Sequence, residues 1–157
     1  MIQCLKNCHP NFIYESDRTD NIEMLSGEDY WEIMTQSIFI PCPLGNINFD
    51  CFRLFESLEA GAIPITLKCS AFQPYDYYKN LLGEHPIPTF SSWQEAKLFL
   101  ESTNVDSIQE LSENVSKWYI KFKLNLKIKI QEVMSNLIID KSLSNDVHQL
   151  DLLTVPK

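Results

Sequence analysis

An arginine and a glutamate three residues apart, Arg53 and Glu56, are the residues whose types and spacing best suit ligand chemistry. A guanidinium presents a planar fork of donors that matches a phosphate, and a carboxylate can accept hydrogen bonds from two ribose hydroxyls. The preceding loop carries Gly45, Asn46 and Asn48 and leads into a predicted helix. Free backbone N–H groups at a helix start favour an anionic oxygen. The pattern therefore predicts an anion site, with a phosphate as the expected ligand.

The same two side chains also fit a plain ion pair within one helix. Such a pair contributes about 0.3–0.5 kcal/mol and carries no function. The spacing alone leaves both interpretations open. The chain has no Gly-x-Gly-x-x-Gly, no P-loop and no Gly-x-Ser-x-Gly. Ordinary dinucleotide, nucleoside triphosphatase and serine hydrolase sites therefore lack their sequence signal.

One βαβ unit is predicted to position the pair. The apolar run Ser37–Ile40 is typical of a buried parallel strand, and Pro41 with the residues after it predicts a loop. A helix is expected to run from Asn48 or Phe49 to Ala60, with Asn48 as N-cap. Its expected apolar side consists of Phe52, Phe55 and Leu58, with Gly61 as a left-handed residue at its end. A strand over residues 62–67 completes the unit, and βαβ units predict a parallel sheet.

The remaining pattern adds short elements on both sides of this unit. Short strands are expected at Ile2–Leu5 and Phe12–Tyr14. Helices are expected after the capping pairs Ser26-x-x-Asp29, ending near Gln36, and Ser92-x-x-Glu95, ending near Glu101, with a further short helix at Tyr75–Leu82.

A long amphipathic helix is predicted from about Ser107 to Ile139. Its apolar stripe consists of Ile108, Leu111, Val115, Trp118, Phe122, Leu126, Ile130, Val133 and Leu137. Four lysines between residues 121 and 129 indicate either a solvated face or a patch for a phosphate or an acidic partner. Residues 1–140 are expected to form one domain, and residues 141–157 a flexible tail.

Composition restricts the function classes. The chain has 157 residues and a formal charge of −8, so it lacks the basic surface with which a general nucleic-acid binder neutralises phosphates. No apolar run approaches the roughly 20 residues of a membrane span, and the first residues do not form a signal peptide. Five cysteines are an odd number. Cys4-x-x-x-Cys8-His9 lacks the second ligand pair of a zinc site, which favours free thiols and no bound metal.

A longer pattern around the Arg-x-x-Glu pair carries a family resemblance. It reads Tyr30-Trp31-x-x-Met34-x-x-Ser37-x-Phe39-x-x-Cys42-Pro43-x-Gly45, then Phe52-Arg53-x-x-Glu56-x-Leu58-x-Ala60-Gly61-x-Ile63-Pro64-Ile65. This resembles the donor-side segment of exostosin-type glycosyltransferases, and within that group the C-terminal domain of ribitol xylosyltransferases that modify α-dystroglycan. Later residues fall in similar order, so the resemblance covers roughly Tyr30 to Ile130.

The resemblance implies a Rossmann-like α/β domain, with a parallel sheet and flanking helices, that corresponds to the C-terminal half of a GT-B glycosyltransferase. Such a half binds a nucleotide sugar, commonly UDP-linked, as substrate, and transfer usually needs no metal or other cofactor. By motif position, Gly45, Asn46 and Asn48 would approach the diphosphate and Arg53 would pair with it. Glu56 would lie near the ribose or sugar hydroxyls. The phosphate loop has fewer basic and glycine residues than is usual in exostosins.

The resemblance also implies a partner for catalysis. The acceptor-side half of a GT-B enzyme and its general base do not fit in the residues before Tyr30, so that half is expected from a further domain or a partner chain, with little transfer by this chain alone. By residue type only, Asp76 and Glu84 are candidates for a base. Relatives suggest the Golgi lumen for a eukaryotic full-length enzyme and the cytoplasm otherwise. The alternative function is a non-catalytic interaction domain that docks a partner through its C-terminal helix.

Overall fold

The computed structural model describes residues 1–8, 10–13, 25–45, 51–70 and 74–152, with side chains described to residue 137. The elements are α1 (Ile2–Leu5), α2 (Gly27–Gln36), β1 (Phe39–Pro41), α3 (Phe52–Glu59), β2 (Ile63–Leu67), α4 (Tyr77–Leu82), β3 (Thr89–Phe90), α5 (Trp93–Ser102) and α6 (Val105–Leu152). The chain divides into two compact units, Met1–Trp118 and Tyr119–Lys157.

The first unit is built around a parallel sheet of three strands in the order β1-β2-β3. Phe39 is paired with Ile63 at the start of the β1–β2 register, and Thr66 is paired with Thr89 between β2 and β3. The mixed α/β fold and the parallel sheet expected from the sequence are therefore confirmed.

The core of the first unit lies between the sheet and α5. Ile65, Phe90 and Ala96 form its buried centre, against which Phe39, Leu67, Trp93, Phe99 and Leu100 pack. The rings of Phe90 and Phe99 lie 5.2 Å apart between centroids. β2 is the most buried strand, with its first four residues inaccessible to solvent. Burial of this strand on both faces explains why its sequence is an apolar run with no alternation.

Pro64 lies inside the central strand and is tolerated there for a topological reason. Ile63 donates its N–H to Ile38 on the β1 side, whereas Thr66 donates to Pro88 on the β3 side. Successive residues of a parallel strand direct their hydrogen bonds to opposite neighbours, so the missing N–H of Pro64 faces the β3 side. Pairing with β3 begins only at Thr66. No ladder hydrogen bond is lost.

Three predicted helix boundaries are confirmed. Ser26 caps α2 by accepting from the Asp29 N–H at 3.0 Å, and Ser92 caps α5 by accepting from the Glu95 N–H at 3.2 Å. Gly61 follows α3 with φ of 79°, a left-handed conformation that suits a residue without Cβ.

The prediction of a strand at Ile2–Leu5 is wrong. These residues form α1, which packs against α5 and buries Leu5. A four-residue apolar run fits either conformation, so its tertiary neighbour decides. No strand forms at Phe12 and Ile13, and Tyr14 lies outside the described residues.

The predicted strand at Ser37–Ile40 is shifted towards its carboxyl end. Pro41, expected in a loop, is the last residue of β1, because β1 is an edge strand and needs no donor on its open side. The expected burial on both faces is wrong at Ile38, which is 58% exposed.

The predicted helix start at Asn48 or Phe49 is also wrong, because the helix begins at Phe52. Cys51 is the N-cap, α3 begins at Phe52, and residues 46–50 lie outside the described part of the chain. The buried face of α3 consists of Leu54, Ser57 and Leu58, whereas Phe52 is 86% exposed. The later start places Arg53 in the first turn of the helix.

The second unit consists of the helical residues of α6 from Tyr119 onward. The rings of Tyr119 and Phe122 stack, and the Lys123 ammonium lies 4.5 Å from the centre of the Tyr119 ring. The helix continues to Leu152, beyond the predicted end at Ile139. A domain boundary near residue 140 and a flexible tail stay predictions. Among the described residues no helix combines the length and apolarity that crossing a membrane requires.

Candidate functional site

Arg53 and Glu56 meet through a third side chain, Tyr30. The Tyr30 hydroxyl donates a hydrogen bond of 2.7 Å to the Glu56 carboxylate, and Arg53 hydrogen-bonds the same tyrosine. No ion pair in the described part of the chain joins Arg53 to Glu56. The plain intrahelical ion pair is therefore not what the structure contains, and we call Tyr30, Arg53 and Glu56 the Tyr-Arg-Glu cluster.

Two helices position this cluster. Tyr30 lies in the first turn of α2, just after the Ser26 cap, and the other two residues lie in α3. α2 leads into β1, and the segment after β1 leads into α3, so both helix starts lie towards the carboxyl end of β1. In open parallel sheets, ligands bind beyond the carboxyl ends of the strands.

Electrostatics hold the cluster in a defined charge state. Partial burial raises the pKa of Tyr30, and its hydrogen bond to Glu56 raises that pKa further. Desolvation lowers the pKa of Arg53, but the hydrogen bond and charge interaction with Tyr30 outweigh it and raise the pKa overall. The guanidinium of Arg53 is thus exposed and permanently charged, and the neutral phenol of Tyr30 holds it in place. None of the ion pairs in the described part of the chain gives it a carboxylate counter-ion. Such a cation is suited to an anionic ligand.

The other predicted ligand-binding residues are placed only in part. Gly45 is half-buried and lies four residues after Pro41, the last residue of β1. Asn46 and Asn48 lie outside the described residues. The structure therefore brings Arg53 and Glu56 together, and the roles of Gly45, Asn46 and Asn48 stay predictions.

Two cysteines lie next to α3. Cys42 is fully buried at the end of β1, where its N–H donates to Ile65 and its sulfur lies 3.6 Å from the Ser57 hydroxyl. Cys51 is the N-cap residue of α3. A hydrogen bond from Cys42, the backbone amides of Leu54 and Arg53, and the Arg53 charge outweigh desolvation and lower the pKa of Cys51 to about 6.

Sequence reasoning missed Tyr30 and the two cysteines as members of this region. Tyr30 and Cys42 stood in the family pattern without an assigned role, and Cys51 precedes Phe52 directly. The available signal was the position of Cys51 two residues before an arginine at a helix start, where a thiolate is favoured. Tyr30 had no local signal, because it lies 26 residues from Glu56 in the sequence.

The two residues nominated as a base by type make local contacts in and beside α4, and a catalytic role for either stays a prediction. Asp76 caps α4 by accepting from the Lys79 N–H at 3.0 Å. Glu84 is exposed and pairs with the Lys79 ammonium at 2.9 Å. Within the described ranges no three His, Cys, Asp or Glu residues come together as a metal site, and His9 lies outside those ranges.

Comparison with protein families gives a match over most of the chain. The family model of the RXYLT1 C-terminal domain, the C-terminal domain of ribitol xylosyltransferase, matches residues 3–139. No curated protein and no solved structure matches the chain. The match covers most of the 157 residues and includes all three residues of the Tyr-Arg-Glu cluster.

Proposed function

The chain belongs to the RXYLT1 C-terminal domain family, and from this premise we propose that it binds a nucleotide sugar as the donor-side domain of a glycosyltransferase. A glycosyltransferase-related domain is what the family match supports directly. UDP-linked sugars are the proposed donors, and the C-terminal half of a GT-B enzyme is the proposed architecture.

The observation that carries the proposal is the position of Arg53. Its guanidinium is exposed in the first turn of α3, near the carboxyl end of β1, and is held by Tyr30 without being neutralised. A charged, pre-oriented fork of donors loses little side-chain entropy on binding phosphate. The N-terminal amides of α3 add a partial positive charge on the same side. Together they favour a diphosphate despite the net charge of −8.

Glu56 supplies the complementary polar group. Its carboxylate accepts from Tyr30 through one oxygen, Oε2, which leaves acceptor capacity for further donors. Ribose and sugar hydroxyls are such donors. In this proposal Tyr30 is a positioning residue that keeps the cation and the carboxylate a fixed distance apart, so that each meets a different part of the donor.

Isothermal titration calorimetry with UDP and a panel of UDP-sugars tests the proposal. Arg53→Ala is expected to weaken UDP binding about 10–150-fold, the loss of one charge-assisted hydrogen-bonding group worth about 1.5–3 kcal/mol. Lys117→Ala is the matched control, because Lys117 is an exposed cation already paired with Glu113 at 3.1 Å. It is expected to leave the affinity unchanged.

Two further variants separate the roles within the cluster. Tyr30→Phe keeps the ring and removes the hydroxyl, so the affinity for UDP should fall less than in Arg53→Ala. Glu56→Gln should weaken UDP and UDP-sugars while leaving inorganic pyrophosphate binding intact. Absence of heat with every UDP compound, or equal affinity of wild type and Arg53→Ala, would overturn the proposal.

Exposed apolar residues favour a second candidate function, a domain that docks a partner through α6. Leu126, Ile130, Val133 and Leu137 are 47%, 54%, 58% and 54% exposed, although their spacing is that of a buried helix face. Gel filtration with light scattering tests it, with Ile130→Lys as the disrupting variant and Lys129→Ala as its control. A monomer that binds no apolar dye would contradict this candidate.

A further inference from the structure

We propose that α6 pairs with α6 of a second copy of this chain, in antiparallel orientation, through its apolar side between Tyr119 and Leu137. This pairing specifies the partner in the second candidate function, docking through α6, and rests on that function. It concerns the second unit alone and does not depend on nucleotide-sugar binding. Three features lead to a second copy as the partner: the repeat of the apolar residues, their exposure and the order of charges along the helix.

The apolar side of α6 repeats every 11 residues. A spacing of three, four and four residues recurs without a break, at Ile108-Leu111-Val115, Tyr119-Phe122-Leu126 and Ile130-Val133-Leu137. We call the six members from Tyr119 onward the α6 stripe. An 11-residue repeat corresponds to about 3.67 residues per turn, close to the 3.6 of an α-helix. The stripe therefore stays on one side of the helix, where a second helix lying alongside can contact its members in turn.

Most of the α6 stripe is exposed. Tyr119 is buried and Phe122 partly buried, whereas the four members from Leu126 to Leu137 are each about half exposed. These four cover about three turns of helix. Removing such apolar area from water stabilises the covered state by about 25 cal/mol per Å². In a symmetric pair each chain covers the same residues of the other, so every member of the stripe contributes twice.

Charge is segregated along the same helix. Residues 119–131 contain four lysines and no acidic residue, a formal charge of +4. Residues 132–152 contain one lysine and four acidic residues, a formal charge of −3. Two parallel copies would place like halves together, whereas two antiparallel copies place each lysine-rich half beside an acidic half. The order of charges therefore fits a second copy in antiparallel orientation.

The same order of charges disfavours an anionic membrane as the partner. Anionic lipid would attract the lysine-rich half and repel the acidic half of the same helix. A second apolar row, Ile120, Leu124 and Ile128, lies on another side of the helix and is also exposed. A helix that lies on a membrane has one apolar side and one polar side, which this helix does not have.

Sedimentation equilibrium of the full chain tests the pairing. Two helices of this length form a contact at the low end of interface sizes, so the wild type should be dimeric at about 100 μM and monomeric at about 1 μM. Ile130→Lys should raise the Kd of the dimer about 100-fold, because the symmetric contact then contains two lysines in place of two isoleucines.

Ile128→Lys is the matched control for Ile130→Lys. It adds the same charge to a residue of the same type that is 44% exposed, against 54% for Ile130. The two positions lie roughly 200° apart around the helix, so the control substitution falls outside the α6 stripe. It should leave the Kd unchanged. Equal weakening by the two variants, or no effect of Ile130→Lys, would overturn the stripe as the contact.

Charge reversal tests the antiparallel order. The lysine reversal combines Lys121→Glu, Lys123→Glu, Lys127→Glu and Lys129→Glu. The acid reversal combines Glu132→Lys, Asp140→Lys, Asp146→Lys and Asp151→Lys. Each reversal alone gives both halves the same sign and should raise the Kd at least about tenfold. Both together restore opposite signs and should return the Kd to within about twofold of the wild type. Reversals that leave the Kd unchanged would overturn the antiparallel order.

A wild type that stays monomeric at the higher concentration would overturn the pairing, with no substitution needed. An apolar dye then distinguishes this failure from failure of the second candidate function. A monomer that binds the dye exposes the α6 stripe, so docking survives with another protein as partner. A monomer that binds no dye contradicts docking as well. A monomer that sediments with phosphatidylserine vesicles would assign the stripe to an anionic membrane instead.

Discussion

Two stretches of α6 carry one continuous apolar spacing and differ in burial. In the first unit, Val115 is buried and Ile108, Leu111 and Trp118 are partly buried. In the second unit, Leu126, Ile130, Val133 and Leu137 are about half exposed. Periodicity therefore defines a face of the helix but not its burial. In the first unit the sheet and its neighbouring elements provide a surface for such faces, as they do for Leu54 in α3.

The contrast extends to polar groups. In the first unit, hydrogen bonds connect elements distant in sequence, such as Tyr30 with Glu56 and the Thr66 hydroxyl with the Cys42 carbonyl at 3.0 Å. In the second unit, the Lys123 ammonium lies 4.5 Å from the centre of the Tyr119 ring, four residues away in the same helix. Long-range contacts fix side chains with respect to one another, which a functional site requires. The first unit therefore contains side chains fixed in the way that a functional site needs.

The largest expected effect on stability comes from making the same isoleucine-to-alanine substitution in each of the two units. Ile65→Ala removes a fully buried side chain from the core and should lower the free energy of unfolding by about 2–5 kcal/mol. Ile130→Ala removes a side chain that is 54% exposed and should change it by less than about 0.5 kcal/mol. Urea denaturation measures both. Similar losses for the two variants would show that the apolar face of the second unit is covered in solution.

A smaller effect is expected at the joint between α3 and β2. Gly61 has φ of 79°, and a Cβ there would meet no atom within 4 Å. Gly61→Ala should therefore destabilise by backbone strain alone, about 1–2 kcal/mol. Gly27→Ala, at the first residue of α2 with equally open space, should instead stabilise slightly. The pair is compared by thermal denaturation, and equal shifts in Tm would argue against a strained joint.

The smallest expected effect is a change in how the free energy of unfolding depends on pH. Burial lowers the pKa of His85, whose ring lies 6.0 Å from that of Trp118, while Asp76 and Glu84 act in the opposite direction and Lys79 adds to the lowering. The unfolded chain, with a pKa of about 6.5, then binds more protons than the folded one. The contribution of His85 to stability is therefore complete above about pH 6.5, the unfolded value, and is lost as the pH falls from there through the lower pKa of the folded chain. His85→Gln should flatten this part of the curve of unfolding free energy against pH, and an unchanged slope would assign it to other groups.

Much of the fold was predictable from local patterns. The caps at Ser26 and Ser92, the glycine after α3 and the apolar run of β2 each leave a signal within a few residues, because capping and backbone conformation are local interactions. The family was recognisable from the pattern that contains Arg53 and Glu56, and the family match confirms it. β3 left no such signal, since it consists of two residues and exists only as a partner of β2.

The site was predictable only in part. Arg53 and Glu56 could be chosen by type and spacing, but their relation could not, because the intrahelical ion pair and the ligand site have the same sequence signature. Tyr30 comes from another helix and hydrogen-bonds Glu56, in a contact that the spacing of Arg53 and Glu56 does not predict. Cys42 and Cys51 are separated by eight residues, a spacing with no motif attached to it.

The sequence by itself determined the parallel α/β unit, the caps of α2 and α5, the glycine after α3 and the family, because these depend on apolar period, local capping and a residue pattern read along the chain. The tertiary structure decided that residues 2–5 form a helix, which face of α3 is buried, and that a tyrosine joins Arg53 to Glu56. These outcomes depend on contacts between elements far apart in sequence. Such contacts form only where packing supplies a partner, and no local pattern specifies that partner.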